Sequence, residues 1–185
     1  MAVRSRLTAA NALSLARLVA APFLVGAVWA GLHGVALAIF ALAVVTDLTD
    51  GWVARRRGEV SPLGGLLDHG SDALFVSAGL GALARSGEVP WPLPIFVILA
   101  FVQYLVDSRG LAGQPLRGSS LGRFNGIAYF VLLGIPIVRD AVSLSQPGVP
   151  LVRALGWALL ASTLTSMALR AASSLCRPPD SANRV

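Results

Sequence analysis

The stretch "GVALAIFALAVVTDLTDGWVARRRG" (34–58) joins an apolar run to a charged end within one continuous segment. Asp47 and Asp50 interrupt the run, and the arginine triplet Arg55, Arg56 and Arg57 closes it. A run of about 20 apolar residues matches the ~30 Å hydrocarbon core of a bilayer as a helix. The rest of the chain has the same character. Of its 185 residues 55% are hydrophobic and only 13% are charged, and the mean hydropathy is +0.72. A soluble domain carries about a quarter charged residues. The composition therefore describes an integral membrane protein.

Six apolar segments follow one another, at about 12–31, 34–54, 66–85, 91–106, 124–138 and 150–171. They predict an all-α, polytopic helical bundle of about six transmembrane helices, the fifth being the shortest. Pro22 is expected to kink the first helix, which neighbouring helices can tolerate. Residues 1–175 read as one membrane domain, and 176–185, "CRPPDSANRV", as a disordered tail. The N-terminal apolar run is too long for a cleaved signal peptide and reads as a first transmembrane helix.

The basic residues fix the expected orientation. All 15 are arginine. With six spans, Arg4, Arg6, Arg17, Arg55, Arg56, Arg57, Arg109, Arg117, Arg123, Arg170, Arg177 and Arg184 lie on one side, and Arg85, Arg139 and Arg153 on the other. That asymmetry predicts both termini in the cytoplasm. It also accounts for the net charge of +6 without a nucleic-acid partner. The single cysteine, Cys176, excludes an intrachain disulfide and a cysteine-built metal cluster.

Asp47 and Asp50 are three residues apart, and Asp68 and Asp72 four apart, in "LLDHGSDALF". Each spacing places its pair on one helix face. The short loop between the second and third spans makes them antiparallel neighbours, so the pairs can face each other at the expected cytoplasmic end. One interfacial aspartate would read as a helix-end charge balanced by Arg55–Arg57. Four at paired helical spacing repel one another unless a cation lies between them. Hard oxygen ligands at that density suit Mg²⁺, Mn²⁺ or Ca²⁺, and a pair of ions is plausible chemistry. Gly51, Ala54, Gly64, Gly65 and Gly70 surround the acids with small side chains that would let a base or a phosphate approach the backbone. Arg55 is placed to meet phosphate. Metal-binding oxygens beside a phosphate-binding arginine imply chemistry on a diphosphate.

Residues 47–72 read D-x2-D-G-x2-A-R-x8-G-x3-D-x3-D through Asp47, Asp50, Gly51, Ala54, Arg55, Gly64, Asp68 and Asp72. This pattern resembles the signature of the CDP-alcohol phosphotransferase (phosphatidyltransferase) family. "NALSLARLVAAP" (11–22) is similar to that family's first-helix pattern, and "GRFN" (122–125) to its segment before the fifth helix. The resemblance implies transfer of a phosphatidyl or other substituted phosphate group from a CDP-alcohol, such as CDP-diacylglycerol, to an acceptor hydroxyl, with release of CMP. It implies two divalent ions, Mg²⁺ or Mn²⁺, on Asp47, Asp50, Asp68 and Asp72, with Asp72 also the general base. Asp47, Gly51, Ala54, Arg55 and Gly64 would contact the nucleotide. It further implies a homodimer among membrane lipids, in a bacterial inner membrane, with the active site facing the cytoplasm.

Arg109 and Arg123 are candidates for an acceptor's phosphate, against the simpler reading that they set topology or touch anionic lipid headgroups. For His69, a headgroup-region or loop contact is preferred to a metal-ligand role. Trp29, Trp91 and Trp157 fall near span ends, as interfacial aromatics do. Two other readings stand beside the transferase: a Mg²⁺-dependent membrane prenyltransferase, whose acidic motifs lie farther apart in sequence, and an ion-binding transporter, which would not require the Gly, Ala and Arg positions. The segment "DHGSDALF" lacks the DPxADK pattern of phosphatidylglycerophosphate synthases and does not read as a phosphatidylserine synthase, so the acceptor stays open.

Overall fold

The computed structural model describes residues 9–57, 62–107 and 120–175, with side chains described over 12–49, 64–107 and 120–173. These residues form six helices: α1 (Ala9–Trp29), α2 (His33–Arg57), α3 (Pro62–Arg85), α4 (Pro92–Asp107), α5 (Ser120–Ala141) and α6 (Val149–Leu175). No strand occurs among the described residues. The expected all-α six-helix architecture is what the chain adopts. Arg109, Arg117 and the tail 176–185 lie outside the described residues.

Helix ends differ from the hydropathy reading where polar residues are good helix formers. α2 continues through the arginine triplet, because arginine has high helix propensity. α3 starts at Pro62 instead of 66, and proline suits a first helical position because its missing N–H needs no partner there. α5 covers 22 residues instead of the shorter 124–138, taking in the polar Ser120–Arg123. α1 continues as one helix through Pro22, and α5 through Pro136.

Three helices end in the same way. After α1, Gly31 N donates to Val28 O (3.2 Å) and Leu32 N to Ala27 O (2.9 Å). After α3, Gly87 N donates to Ala84 O and Glu88 N to Leu83 O, both at 3.0 Å. After α5, Ser143 N donates to Asp140 O (3.3 Å) and Leu144 N to Arg139 O (2.9 Å). These paired bonds are Schellman closures, which need a left-handed residue at the turn. Gly31 (φ 67°) and Gly87 (φ 75°) adopt it without steric cost, whereas Ser143 (φ 56°) does so with a Cβ. All three closures lie at the end of the bundle opposite the aspartates.

α1 packs on α2 and α3, α4 on α3 and α6, and α5 on α2, α3 and α6. Leu24, Phe75, Leu80, Leu93, Leu133 and Val152 form the centre of the core. Glycines let the helices approach closely, as in membrane bundles generally. A Cβ on Gly134 would lie 2.8 Å from the Phe40 ring, and one on Gly156 2.5 Å from Pro90 Cδ.

The outward faces are apolar too. Phe23, Leu42, Val45, Ile95, Val106, Ile127, Val131 and Leu169 are exposed, the inverse of a soluble bundle. Ala12–Trp29, Ser120–Ala141 and Val149–Ser173 are long and apolar enough to cross a membrane, and the apolar helical segments His33–Thr49 and Pro92–Asp107 are shorter. α3 carries Asp68, His69, Ser71 and Asp72 in its first half and is correspondingly more polar. Trp29 and Trp91 are exposed at helix ends, as expected of interfacial aromatics, whereas Trp157, also exposed, lies more than two turns into α6.

Candidate active site

Among the described residues α2 and α3 are not the direct neighbours that the short loop between them implied: α1 packs against both, and it is on α1 that the carboxylates of Asp47, Asp68 and Asp72 come to one place. They meet around Arg17, about two turns into α1. The Arg17 side chain has 0% exposure, while those of Asp47, Asp68 and Asp72 keep 35%, 30% and 21%. Arg17 Nη2 lies 3.4 Å from Asp47 Oδ1, and Nη1 lies 3.5 Å from Asp68 Oδ1. Nη1 also contacts Asp72 Oδ1 directly. Two hydroxyls complete the arrangement. Ser14 Oγ donates to Asp68 Oδ1 (3.5 Å), and Ser71 Oγ accepts from Arg17 Nη1 (3.4 Å) while donating to Asp68 O (2.8 Å).

Arg17 is the principal residue the sequence reading missed as part of the site. It was assigned to topology, yet it is buried among carboxylates instead of facing an aqueous interface. The available signal was an ionisable residue inside an apolar span, which is costly unless it is paired there.

His69 is also closer to the acids than expected. Its Nδ1 lies 3.7 Å from Asp68 Oδ2, and ligand atoms of Asp68, His69 and Asp72 all fall within 4.8 Å of one another. Two carboxylates and an imidazole within that span, beside the Asp47 carboxylate, fit a divalent cation with a preference for oxygen ligands. Asp50, Gly51, Ala54 and Arg55 lie on α2 beyond the residues with described side chains. Gly64 occupies the first turn of α3. Gly65 has open space where a Cβ would lie, whereas Gly70 faces helix α4, with a Cβ position 3.3 Å from Phe101 Cζ. Gly70 therefore serves helix packing and does not open the site to a ligand.

A cleft of about 490 Å³ leads from Asp47, His69 and Asp72 into the space between α3, α4, α5 and α6. Arg123, Tyr104 and Arg170 stand at its aspartate end, with the Arg170 guanidinium 5.0 Å above the centre of the Tyr104 ring. Deeper in, the cleft is largely apolar, with a few polar groups held by internal bonds. Ser162 Oγ donates to Asn125 Oδ1 (2.7 Å), Tyr129 Oη meets Thr163 Oγ1 (2.7 Å), and Gln103 Nε2 donates to Met167 O (2.9 Å). Tyr104, Gln103 and Arg170 were not singled out from sequence as site residues. Gln103 and Tyr104 are the polar break in the α4 run "FVQYLVD", which is the mark a membrane cleft leaves on a sequence.

The profile of the CDP-alcohol phosphatidyltransferase family matches residues 7–169. The chain belongs to that family. The matched span takes in Arg17, all four motif aspartates, Arg123 and every residue lining the cleft except Arg170, which follows it directly. It decides against the prenyltransferase and transporter readings. A probable phosphatidylglycerophosphate synthase of Mycobacterium tuberculosis is 36% identical over 95 residues, covering 48% of this chain and 46% of the relative. A CDP-diacylglycerol–glycerol-3-phosphate 3-phosphatidyltransferase of Cereibacter sphaeroides is 35% identical over 105 residues, covering 54% and 48%. A CMP-forming cardiolipin synthase of Rattus norvegicus is 37% identical over 92 residues, covering 49% and 30%. The chain thus spans about half the length of the first two curated relatives, and less of the third. No solved structure matches it significantly.

Proposed function

We propose that this protein is an integral membrane CDP-alcohol phosphatidyltransferase of phospholipid synthesis. It transfers a phosphatidyl group from CDP-diacylglycerol, or another CDP-alcohol, to an acceptor hydroxyl and releases CMP. The observation that carries the reading is the convergence of Asp47, Asp68 and Asp72 at the mouth of a cleft with basic groups at the same end.

In this reading Asp47, Asp50, Asp68 and Asp72 hold two divalent ions, Mg²⁺ or Mn²⁺. When bound, such ions neutralise charge on the transferring phosphoryl group. Asp47, Gly51, Ala54, Arg55 and Gly64 receive the cytidine diphosphate moiety. Asp72 takes the proton of the acceptor hydroxyl. The acceptor oxygen then forms a bond to the phosphorus bearing the lipid alcohol, the bond from that phosphorus to CMP breaks, and CMP leaves. Arg123 and Arg170, with Arg109, supply the positive charge that a phosphorylated acceptor needs. The curated relatives are named for glycerol 3-phosphate transfer and for cardiolipin synthesis, which makes a glycerol phosphate or a phosphatidylglycerol-type hydroxyl the first acceptors to test. The arginine asymmetry supports cytoplasmic termini and a cytoplasmic active site in a bacterial inner membrane, and the family supports a homodimer.

The test is CMP release by purified protein with Mg²⁺ or Mn²⁺, CDP-diacylglycerol and a panel of acceptors. Metal-dependent CMP release with one acceptor and formation of the corresponding lipid is expected. Cytidine-independent ion transport, or turnover with a prenyl diphosphate, would sink the proposal.

A further inference from the structure

Three carboxylates direct one oxygen each at the same guanidinium. Asp47 Oδ1, Asp68 Oδ1 and Asp72 Oδ1 all face Arg17, which reaches them from a third helix and is sealed from solvent. Those oxygens belong to the set that the proposed function assigns to divalent ions. A guanidinium and a metal ion cannot both take the same oxygens at close range, because both are cations and their repulsion grows in a partly desolvated site.

We infer that Arg17 is a resident counter-cation of the carboxylate cluster, displaced from part of it when a divalent ion binds. The inference rests on the reading that Asp47, Asp68 and Asp72 are metal ligands. Arg17 holds the acids together against their mutual repulsion, keeps α1 docked on α2 and α3, and weakens divalent binding by competing for its ligands. Ser14 and Ser71 provide hydroxyl contacts within the cluster: Ser14 to Asp68 Oδ1, and Ser71 to Arg17 and the Asp68 backbone. Arg17 is thus a positioning residue that tunes the metal requirement by acting through the carboxylates, Asp72 included.

A purely structural arginine predicts a different result from a competing one. If Arg17 only braces the helices, its removal lowers stability at least as much with metal as without, and metal affinity stays the same or falls as the ligands scatter. If it competes, its removal lowers stability without metal, but Mn²⁺ restores more of that stability than it adds to the wild type. Metal-linked stabilisation follows from affinity, so the two readouts must agree.

The experiment measures Mn²⁺ binding to the full chain in detergent, by loss of the free Mn²⁺ resonance signal, together with thermal unfolding in chelator and in Mn²⁺. Wild type should bind Mn²⁺, and Asp68→Asn should weaken that binding. If wild type does not bind at all, the metal reading fails and the inference falls with it. With that control in place, Arg17→Gln should bind Mn²⁺ about tenfold or more tightly and show a larger Mn²⁺-induced rise in melting temperature than wild type. Arg17→Lys retains the charge but cannot bridge three carboxylates, and should fall between the two. It also decides the question if Arg17→Gln does not fold. Unchanged or weaker Mn²⁺ binding in the substituted protein, while the Asp68→Asn control behaves as expected, overturns the inference and leaves the metal reading standing.

Discussion

Arg139 and Glu88 form a two-pronged ion pair at the end of the bundle away from the aspartates, with Nη2 2.6 Å from Oε1 and Nη1 3.1 Å from Oε2. Arg139 Nε reaches Asp140 Oδ1 at 2.7 Å, and Nη1 reaches Pro147 O at 3.3 Å. One side chain thereby fastens the α3–α4 turn to the end of α5 and to the loop before α6. Because Glu88 and Arg139 are both buried, losing one partner leaves the other's charge uncompensated. Glu88→Gln should therefore cost about 3 kcal/mol. Thermal unfolding in detergent measures the loss, and CMP release per folded molecule should be unchanged.

The Schellman closures give a matched pair of backbone predictions. Ser143→Gly removes a Cβ from a left-handed residue and should stabilise the protein by about 1 kcal/mol. Gly87→Ala does the reverse and also places a methyl group 2.8 Å from Arg153 Nη2. It should destabilise by about 1–2 kcal/mol, and a chemical unfolding series compares both variants with the wild type.

Gly156→Ala tests the contact between α6 and the turn that leads into α4. The new Cβ would lie 2.5 Å from Cδ of Pro90, whose ring cannot rotate out of the way. The helix must move instead, at a cost of about 1–3 kcal/mol read from the melting temperature.

Removing the base should separate chemistry from binding. Asp72→Asn is expected to reduce CMP release by at least about 10²-fold while CDP-diacylglycerol still binds measurably. Full activity in that variant would show that Asp72 is not the base.

The basic groups at the aspartate end of the cleft should act on the acceptor side of the reaction. For a phosphorylated acceptor, Arg123→Ala and Arg170→Ala should each raise the acceptor KM by about tenfold, the loss of a charge-assisted contact, and leave the donor KM nearly unchanged. Equal effects on both substrates would place these arginines at the nucleotide instead.

Much of this architecture is legible in a single sequence because a membrane span is a composition signal. Runs such as 34–49 declare themselves without tertiary information, and the spacing of Asp68 and Asp72 declares their shared helical face. What stayed hidden depends on packing between distant segments. Arg17 looks the same whether it faces lipid headgroups or three aspartates, and only the docking of α1 on α2 and α3 distinguishes the two. Gly70 looked like room for a ligand until Phe101 of α4 was found over it. The bracing of Glu88 by Arg139 was equally hidden, because the residues are 51 positions apart and the arginine had served only to mark a side of the membrane.

The burial of Arg17 also constrains how the protein is made. It enters the bilayer with α1, yet its partners Asp68 and Asp72 are synthesised 51 and 55 residues later. An unpaired arginine within a span costs about 2.5–3.5 kcal/mol on insertion scales. The first helix is apolar enough to span a membrane, yet carries a charge it cannot satisfy alone. Its charge is matched in two stages, first by Asp47 of α2 and then by Asp68 and Asp72 of α3.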